Sequence, residues 1–488
     1  MRCLRLCLIA LTLFVPAAAR ADVTPEQAQA LEQQLHDWLA ALLGTAVDVT
    51  DRPVRLTPDG DHYRVEIPMG AAADAVGLDA GDATITAEAR PLPGDRWVLD
   101  DIAIPDSLHL ATQGGSDPAT DWSMKIADQH MSALVDPTLA TASSFDADIR
   151  GQTSTSEGAN GPHTSSVEHY TAHTVWLPTG NGRVDMLGNS MGDKLAASQA
   201  MPDGAPVTWS VDHIQSSVRI DAVAANSLGT ILRAAMAMVP TALAARQSGA
   251  APAGLPPKAR TAARTLVAQL RNLWSGFTLD ETLDHVRFDA NGVGGSIAKL
   301  GIGAAADTRD GKLDMHLTVA IDGIDSPEIG AGPLHDYLPR HIQLSPHLYG
   351  VGVEDASQLL LRAIDSDGTN DNALMDDATQ LLRKSPLTVG LDDVAFDLGP
   401  AHLNGSGEVH VAAKNQMTGE ADITVTGLDA LIQQAASMPE MKQALPILIM
   451  LKGLGRQNGD ATHWKITYNA RKILVNGNDL SAMLPRLK

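Results

Sequence analysis

Leu283-Asp284-His285-Val286-Arg287-Phe288-Asp289 returns 108 positions later as Leu391-Asp392-Asp393-Val394-Ala395-Phe396-Asp397, with five of the seven positions identical. At the same offset Gly311 falls on Gly419 and Asp314 on Asp422. Both copies run on into a strand that stops at Gly323-Ile324-Asp325 and at Gly427-Leu428-Asp429. A motif recurring at long spacing is the mark of an internal repeat. In the first copy Leu313, Met315, Leu317, Val319 and Ile321 alternate with polar residues, and in the second Ala421, Ile423 and Val425 do the same. Period two reads as a strand with one wet and one buried face. The second strand turns at Gly427 into a helix through Leu428, Leu431 and Ile432, and another helix runs from Pro439 to Leu451. The strand 214–222, followed by an apolar helix from Leu228 to about Ala245 that Pro240 should kink, reads as a third and more degraded copy.

Outward from the repeat, the first residues give an address. Arg2 and Arg5, an apolar run from Leu6 to Ala19 and the small-x-small site Ala19-Arg20-Ala21 form a secretory signal peptide over 1–21. Cys3 and Cys7 leave with it, so the mature chain has no disulfide, thiolate metal site or cysteine nucleophile. The 467 residues that remain suffice for about two to four domains. The expected divisions are an N-terminal α+β region 22–246, a Gly/Ala/Pro linker 247–257, the first copy 258–390 and the second copy 391–488. No later segment reaches about 18 uninterrupted apolar residues, so no membrane-spanning helix is expected.

Loss of the segment's three arginines leaves 33 Lys+Arg against 58 Asp+Glu. Such a surface repels phosphate backbones, and at 3% aromatic content it has little to stack bases on, which excludes nucleic acid. Peripheral contact with an anionic membrane would need a local basic patch.

Thr24-Pro25-Glu26-Gln27 opens a helix with a capping-box pattern, and Gly44 ends it. Hairpins follow around Pro58-Asp59-Gly60-Asp61 and Pro93-Gly94-Asp95. Residues 151–166 hold no apolar side chain apart from Ala159 and Pro162 and read as a long loop. The helix Lys258–Trp274 carries Lys258, Arg260, Arg264 and Arg271 on one face, read as a solvated face that balances nearby acids.

The catalytic motifs are thin. Gly188-Asn189-Ser190-Met191-Gly192 matches the nucleophile elbow of serine hydrolases, but the βαβ alternation which that fold requires is missing. Asp365-Ser366-Asp367-Gly368 resembles the start of a calcium loop, yet its two end ligands would be Ala363 and Leu374. His335, His341 and His347 recur every six residues and fix no shared face.

The run from Gly419-Glu420-Ala421-Asp422 to Val475-Asn476-Gly477 resembles exported Gram-negative bacterial proteins grouped only as a domain of unknown function, over most of the mature chain. The strand–Gly–Leu–Asp–helix unit and the closing Val-Asn-Gly are loosely similar to AsmA-like envelope proteins. That similarity implies a β-rich body associated with lipid handling. The anchor usual in those proteins is missing here, and no catalytic residue carries over.

The fold expected is therefore α+β: curved antiparallel sheets covered on one face by amphipathic helices, with an internal strand–helix repeat. The function expected is a non-enzymatic periplasmic protein without cofactor. It would bind lipid or another apolar ligand between the sheet and the helices at 228–245 and 428–452. An envelope scaffold or protein-interaction module is the alternative, and a hydrolase using Ser190 the third. No catalytic, cofactor-binding or metal-binding residue is assigned.

Overall fold

A computed structural model describes residues 23–480, apart from 44–53, 76–77, 95, 113–121, 137–138, 140, 159–160, 202–205, 249–254, 291, 327–337, 367–370, 413–416, 439–444 and 470–471. The signal peptide, His335 and most of the calcium-like segment lie outside the described residues.

Strands dominate, and they form one antiparallel sheet. The N-terminal strands are β1 (Arg55–Asp59), β2 (His62–Pro68), β3 (Leu78–Asp79), β4 (Thr84–Leu92), β5 (Arg96–Ala103), β6 (Ser107–Thr112), β7 (Trp122–Lys125) and β8 (Asp128–Asp136). Then come the long ones: β9 (Thr141–Gly158), β10 (Gly161–Gly180), β11 (Arg183–Gln199), β12 (Val207–Ala224), β13 (Gly276–Ala290), β14 (Val293–Arg309), β15 (Lys312–Asp325) and β16 (Pro339–Gly352). They close with β17 (Leu387–Leu398), β18 (Ala401–Val411), β19 (Met417–Thr426), β20 (Arg456–Asn458), β21 (Ala461–Asn469), β22 (Lys472–Val475) and β23 (Asn478–Asp479). From β8 to β19 each strand pairs with the next in sequence, and β21 pairs with β19. Strands of 14 to 20 residues are roughly 45–65 Å long. Asn181-Gly182, Asp310-Gly311 and Asn476-Gly477 turn three of the hairpins with both residues at positive φ, the backbone that matches strand twist.

The helices do not cover the sheet, which corrects the expected architecture. They are α1 (Pro25–Leu43), α2 (Gly70–Ala75), α3 (Ala225–Ser248), α4 (Pro257–Leu273), α5 (Val353–Asp365), α6 (Asp371–Lys384), α7 (Leu428–Ser437) and α8 (Leu445–Leu454). The connections β12→β13 and β16→β17 leave from the same end of the sheet. Their helices therefore stack on one another there, in the succession α3–α4–α5–α6 with α1 against α3, while α7 and α8 lie toward the opposite end, with α7 against β18. Helical periodicity announces an apolar stripe but not its partner: from α3 to α6 that partner is mostly another helix, whereas Ala28, Leu31 and Leu35 of α1 are buried against Leu56, Tyr63 and Val65 of β1 and β2.

The capping expectation for α1 is half met. Gln27 N–H donates to Thr24 Oγ1 at 3.2 Å, but the Gln27 side chain accepts instead from the buried Tyr63 hydroxyl at 2.9 Å, which ties the helix to β2. Two residues of the basic face of α4 pair with acids across the helix row: Arg264 meets Asp365 at 2.6 Å and Arg271 pairs with Glu354.

Residues 151–158 and 161–166 are not a loop but the paired ends of β9 and β10. A Ser/Thr-rich strand can be polar on both sides when neither side enters a core, and threonine favours extended backbone.

The strand–helix repeat is also overturned. The two copies lie on β13 and β17, separate strands of one sheet, and each occupies a place where the strand changes phase. In Leu283–Val286–Phe288 and Leu391–Val394–Phe396 the apolar spacing is three, then two. His285 does this with φ 54°, and β17 with a bulge between Leu391 and Val394. What recurs is a local device for shifting alternation by one residue.

The same shift crosses the sheet as a transverse crease. Gly151, Lys194, His285 and Gly323 have φ of 61°, 50°, 54° and 65° on alternate strands β9, β11, β13 and β15. Between them, in register, stand Glu168, Asp212 and Ala298 on β10, β12 and β14. Pairing is interrupted along this row and resumes on its other side in unchanged register. On β11 the buried positions pass from Val184, Gly188 and Gly192 to Ala197. The alternation changes from even to odd, and the apolar side chains stay on one face across the crease.

Candidate functional site

That alternation gives the sheet two unlike faces. One carries ion pairs and hydrogen bonds laid across neighbouring strands: His169 to Asp148 at 2.9 Å, His213 to Asp193 at 2.7 Å and Arg287 to Asp212 at 2.7 and 2.9 Å. The Arg287 guanidinium holds Asp212 below the usual carboxylate range. His341 binds Asp322 at 2.6 Å, and that hydrogen bond raises the imidazole pKa against the opposing effect of burial. His316 lies between Asp314 at 3.0 Å and Asp392 at 3.1 Å. His347 Nδ1 stands 2.6 Å from Asp392 as an ion-pair contact out of hydrogen-bond alignment. Among the described residues, no group of three or more His, Cys, Asp or Glu side chains is arranged to hold a metal ion.

The opposite face is apolar and open to solvent. Met315, Leu317, Leu344, Val389 and Leu391 are each about 40% exposed, far above a core value. Leu317 and Val319 on β15 stand opposite Pro346 and Leu344 on β16, and Leu344 pairs in turn with Val394 on β17. Across β16 to β21 this face deepens into a trough of about 670 Å³. Val389, Leu391, Val394, Val409, Ile423 and Ile466 are among the side chains that line it. That both Leu391 and Val394 line it, three residues apart, is the direct consequence of the β17 bulge. Gly405, Gly407 and Gly419 form its floor. A Cβ at Gly407 would stand 2.7 Å from that of Ala421, and one at Gly419 would stand 2.7 Å from the Glu408 carbonyl oxygen. The strands approach too closely there for side chains.

The trough lies beside, not beneath, the C-terminal helices. Leu428 and Leu431 of α7 are buried against Ala401, Val425 and Trp464, a filled core that leaves no room between helix and sheet. Asn476, from the closing Val-Asn-Gly, is a clamp: its side chain donates to the Leu454 and His463 carbonyls at 2.9 and 3.0 Å and accepts from Lys465 N–H at 2.9 Å. The motif singled out in the sequence is thus a structural tie between α8 and β21.

Ser190 sits in the middle of β11, opposite Ala172 and Ser216 on both neighbouring strands. No strand-to-helix turn presents it, and the flanking Gly188 and Gly192 serve packing: a Cβ on either would press on Val218 or Ile214 at 2.9 Å. Asp365 ends α5 and is engaged by Arg264.

Residues 338–476 match the family described as an uncharacterized protein conserved in bacteria (DUF2125). The matched segment contains every residue of the trough, from Pro346 to Tyr468. No curated protein and no solved structure matches the chain, and the similarity to AsmA-like proteins finds no match in these comparisons.

The open face was not foreseen. Its signal was present in the alternating aliphatic residues of β13 to β19, but alternation reads equally as a face packed on something.

Proposed function

We propose that this chain is a non-enzymatic periplasmic protein that holds lipid, or another long apolar chain, against the trough on its sheet. The supporting observation is a solvent-open aliphatic surface spanning β16 to β21. Large exposed apolar surfaces on soluble domains are characteristic of binding sites. A hydrocarbon suits it better than a peptide, because the strand N–H and C=O groups are spent in the ladder and the face offers side chains alone. Export rests on the first 21 residues and their Ala19-Arg20-Ala21 site.

The test is organic extraction and mass spectrometry of the protein purified from a Gram-negative host, beside the double variant Leu391→Asp/Val409→Asp. The unmodified protein should carry an amphiphile, and its intact mass should begin at Asp22. The variant should lose most of that amphiphile and keep its circular dichroism spectrum, since Leu391 is 40% exposed. Amphiphile content that is zero or equal in the two samples overturns the reading.

A further inference from the structure

The charged face carries one line of side chains that alternates between basic and acidic from strand to strand. On β10 to β13 the directly opposed positions are His169, Asp193, His213 and Asp284. In the same register follow Lys299 on β14, Asp322 on β15, His341 on β16, Asp397 on β17 and His402 on β18. Between the two ends, every member has a group of the opposite kind on both neighbouring strands. From β10 to β15 each stands next in sequence to a residue of the crease, so the line follows its border. The histidine contacts within it are formed. His213 reaches Asp193 at 2.7 Å, His341 reaches Asp322 at 2.6 Å and His402 reaches Asp397 at 2.7 Å. His169 turns both ring nitrogens to carboxylates, Nε2 to Asp148 at 2.9 Å and Nδ1 to Asp193 at 3.6 Å.

Protonation decides how fully this arrangement is satisfied. A neutral imidazole has one N–H and donates to one acid, whereas the imidazolium can donate to an acid on each side. Four aspartates and one lysine leave the line at −3 while its four imidazoles are neutral, and their protonation takes it to +1. The charges around it are paired with one another and do not offset this change. Arg150, opposite His169 on β9, is drawn to Asp148 at 3.3 Å. Past the crease Lys194 meets Glu168 at 2.6 Å, and Asp212 holds Arg287 at 2.7 Å and stands 3.8 Å from His285. On the other side the adjoining row is uncharged from β10 to β19, with Thr171, Met191, Gln215 and Thr282 in its first half and Gln343 and Asn404 in its second. Asp393 is held by that Gln343 at 2.9 Å, and the uncharged Thr426 faces His402 from β19.

We infer that this line is a pH-dependent fastening of the sheet: mild acid clamps β10 to β18 to one another, and mild alkali releases them. Each pair alone is a weak surface contact, and the effect comes from repetition across successive strands. Protonation also lowers the self-repulsion of a chain at −22. At His341 the hydrogen bond to Asp322, aided by the charges of Asp322 and Asp397, raises the pKa against the opposing effect of burial. A group whose pKa folding raises stabilises in full below its unfolded value of 6.5, and that stability is lost as pH rises through the folded value. The sign is thus opposite to that of acid denaturation. The fastening does not depend on the trough holding lipid.

The experiment is urea unfolding and hydrogen exchange of the full mature chain at about pH 6 and pH 8, with exchange corrected for its intrinsic pH dependence. Asp193→Asn/Asp397→Asn runs alongside, since each of these acids stands between two histidines of the line. Both side chains are at least one-third exposed and asparagine keeps their shape, so the variant should fold. The unmodified protein should unfold at lower urea at the higher pH, and its amides in β10–β12 and β16–β18 should exchange about three-fold faster or more. The double variant should lose at least half of both differences. Asp146→Asn, which removes a partner of His173 outside the line, should keep them. Should the double variant misfold, His213→Gln/His341→Gln decides in its place, with the same losses expected. A urea midpoint that is equal or higher at the higher pH overturns the inference. So does an undiminished difference in the folded variant, or an equal loss in Asp146→Asn.

Discussion

At the scale of single residues, Phe288 shows how differently two copies of one motif are used. Its ring lies across Gly295, its cross-strand partner, where a Cβ would come within 2.4 Å of the ring. The aromatic covers the backbone that glycine leaves bare, yet it is 46% exposed. Phe396 carries the same letter in the motif and is less exposed. From the repeat alone, both would open a large core cavity on truncation and cost about 3–5 kcal/mol. With its position known, Phe288→Ala should cost about 1 kcal/mol or less, because little of its surface is recovered from water. Phe396→Ala should cost more. Urea denaturation of the two variants measures the difference, and equal large losses would show that the Phe288 face is covered in solution.

At the scale of elements, the legible parts were those whose pattern has one interpretation. The Thr24 cap, the turns at Gly60 and Gly94 and the strand alternation of 313–321 became α1, two hairpins and β15 within a residue or two. Residues 151–166 were illegible because a strand that is polar on both sides leaves no period-two signal. The trough was illegible for the opposite reason: Val389 and Leu391 signal an apolar face but not whether anything lies on it. Asn476 lies between these cases. Its Val-Asn-Gly setting was visible, but its three hydrogen bonds to β21 and α8 were not. It also holds φ 50°, a conformation in which asparagine is tolerated far better than alanine. Asn476→Ala should therefore combine backbone strain with unpaired Leu454 and Lys465 backbone groups, costing about 2–4 kcal/mol. Asn476→Gly relieves the strain alone and should recover part of the loss. Thermal unfolding with hydrogen exchange on α8 reads both terms, and α8 should be the first helix to lose protection.

At the scale of the whole molecule, the crease decides whether a sheet this wide can keep one apolar face. Strands of 14 to 20 residues accumulate twist, and an untwisted sheet of this breadth would be unusual. Along the crease, one residue per alternate strand takes positive φ without moving the register, so the sheet bends while the pairing on both sides survives. The apolar stripe then changes from odd to even positions and continues. Without the change, Val286 and Phe288 on β13 and Ile324 on β15 would turn to the charged face and Arg287 to the apolar one. Gly323 is the sharpest test, with φ 65° and a would-be Cβ 2.7 Å from that of Ala298. Gly323→Val places a β-branched residue in left-handed backbone and drives it into the neighbouring strand, an expected cost of about 2–4 kcal/mol. Gly301→Val, on β14 in the same sheet, meets Ala320 at an ordinary 3.7 Å and has no positive φ, so it should be neutral or stabilising. Chemical denaturation should separate the two variants by at least about 2 kcal/mol. If Gly323→Val and Gly301→Val unfold together, left-handed backbone at that row is not what carries the apolar face across the sheet, and the shared spacing of the two motifs loses its structural meaning.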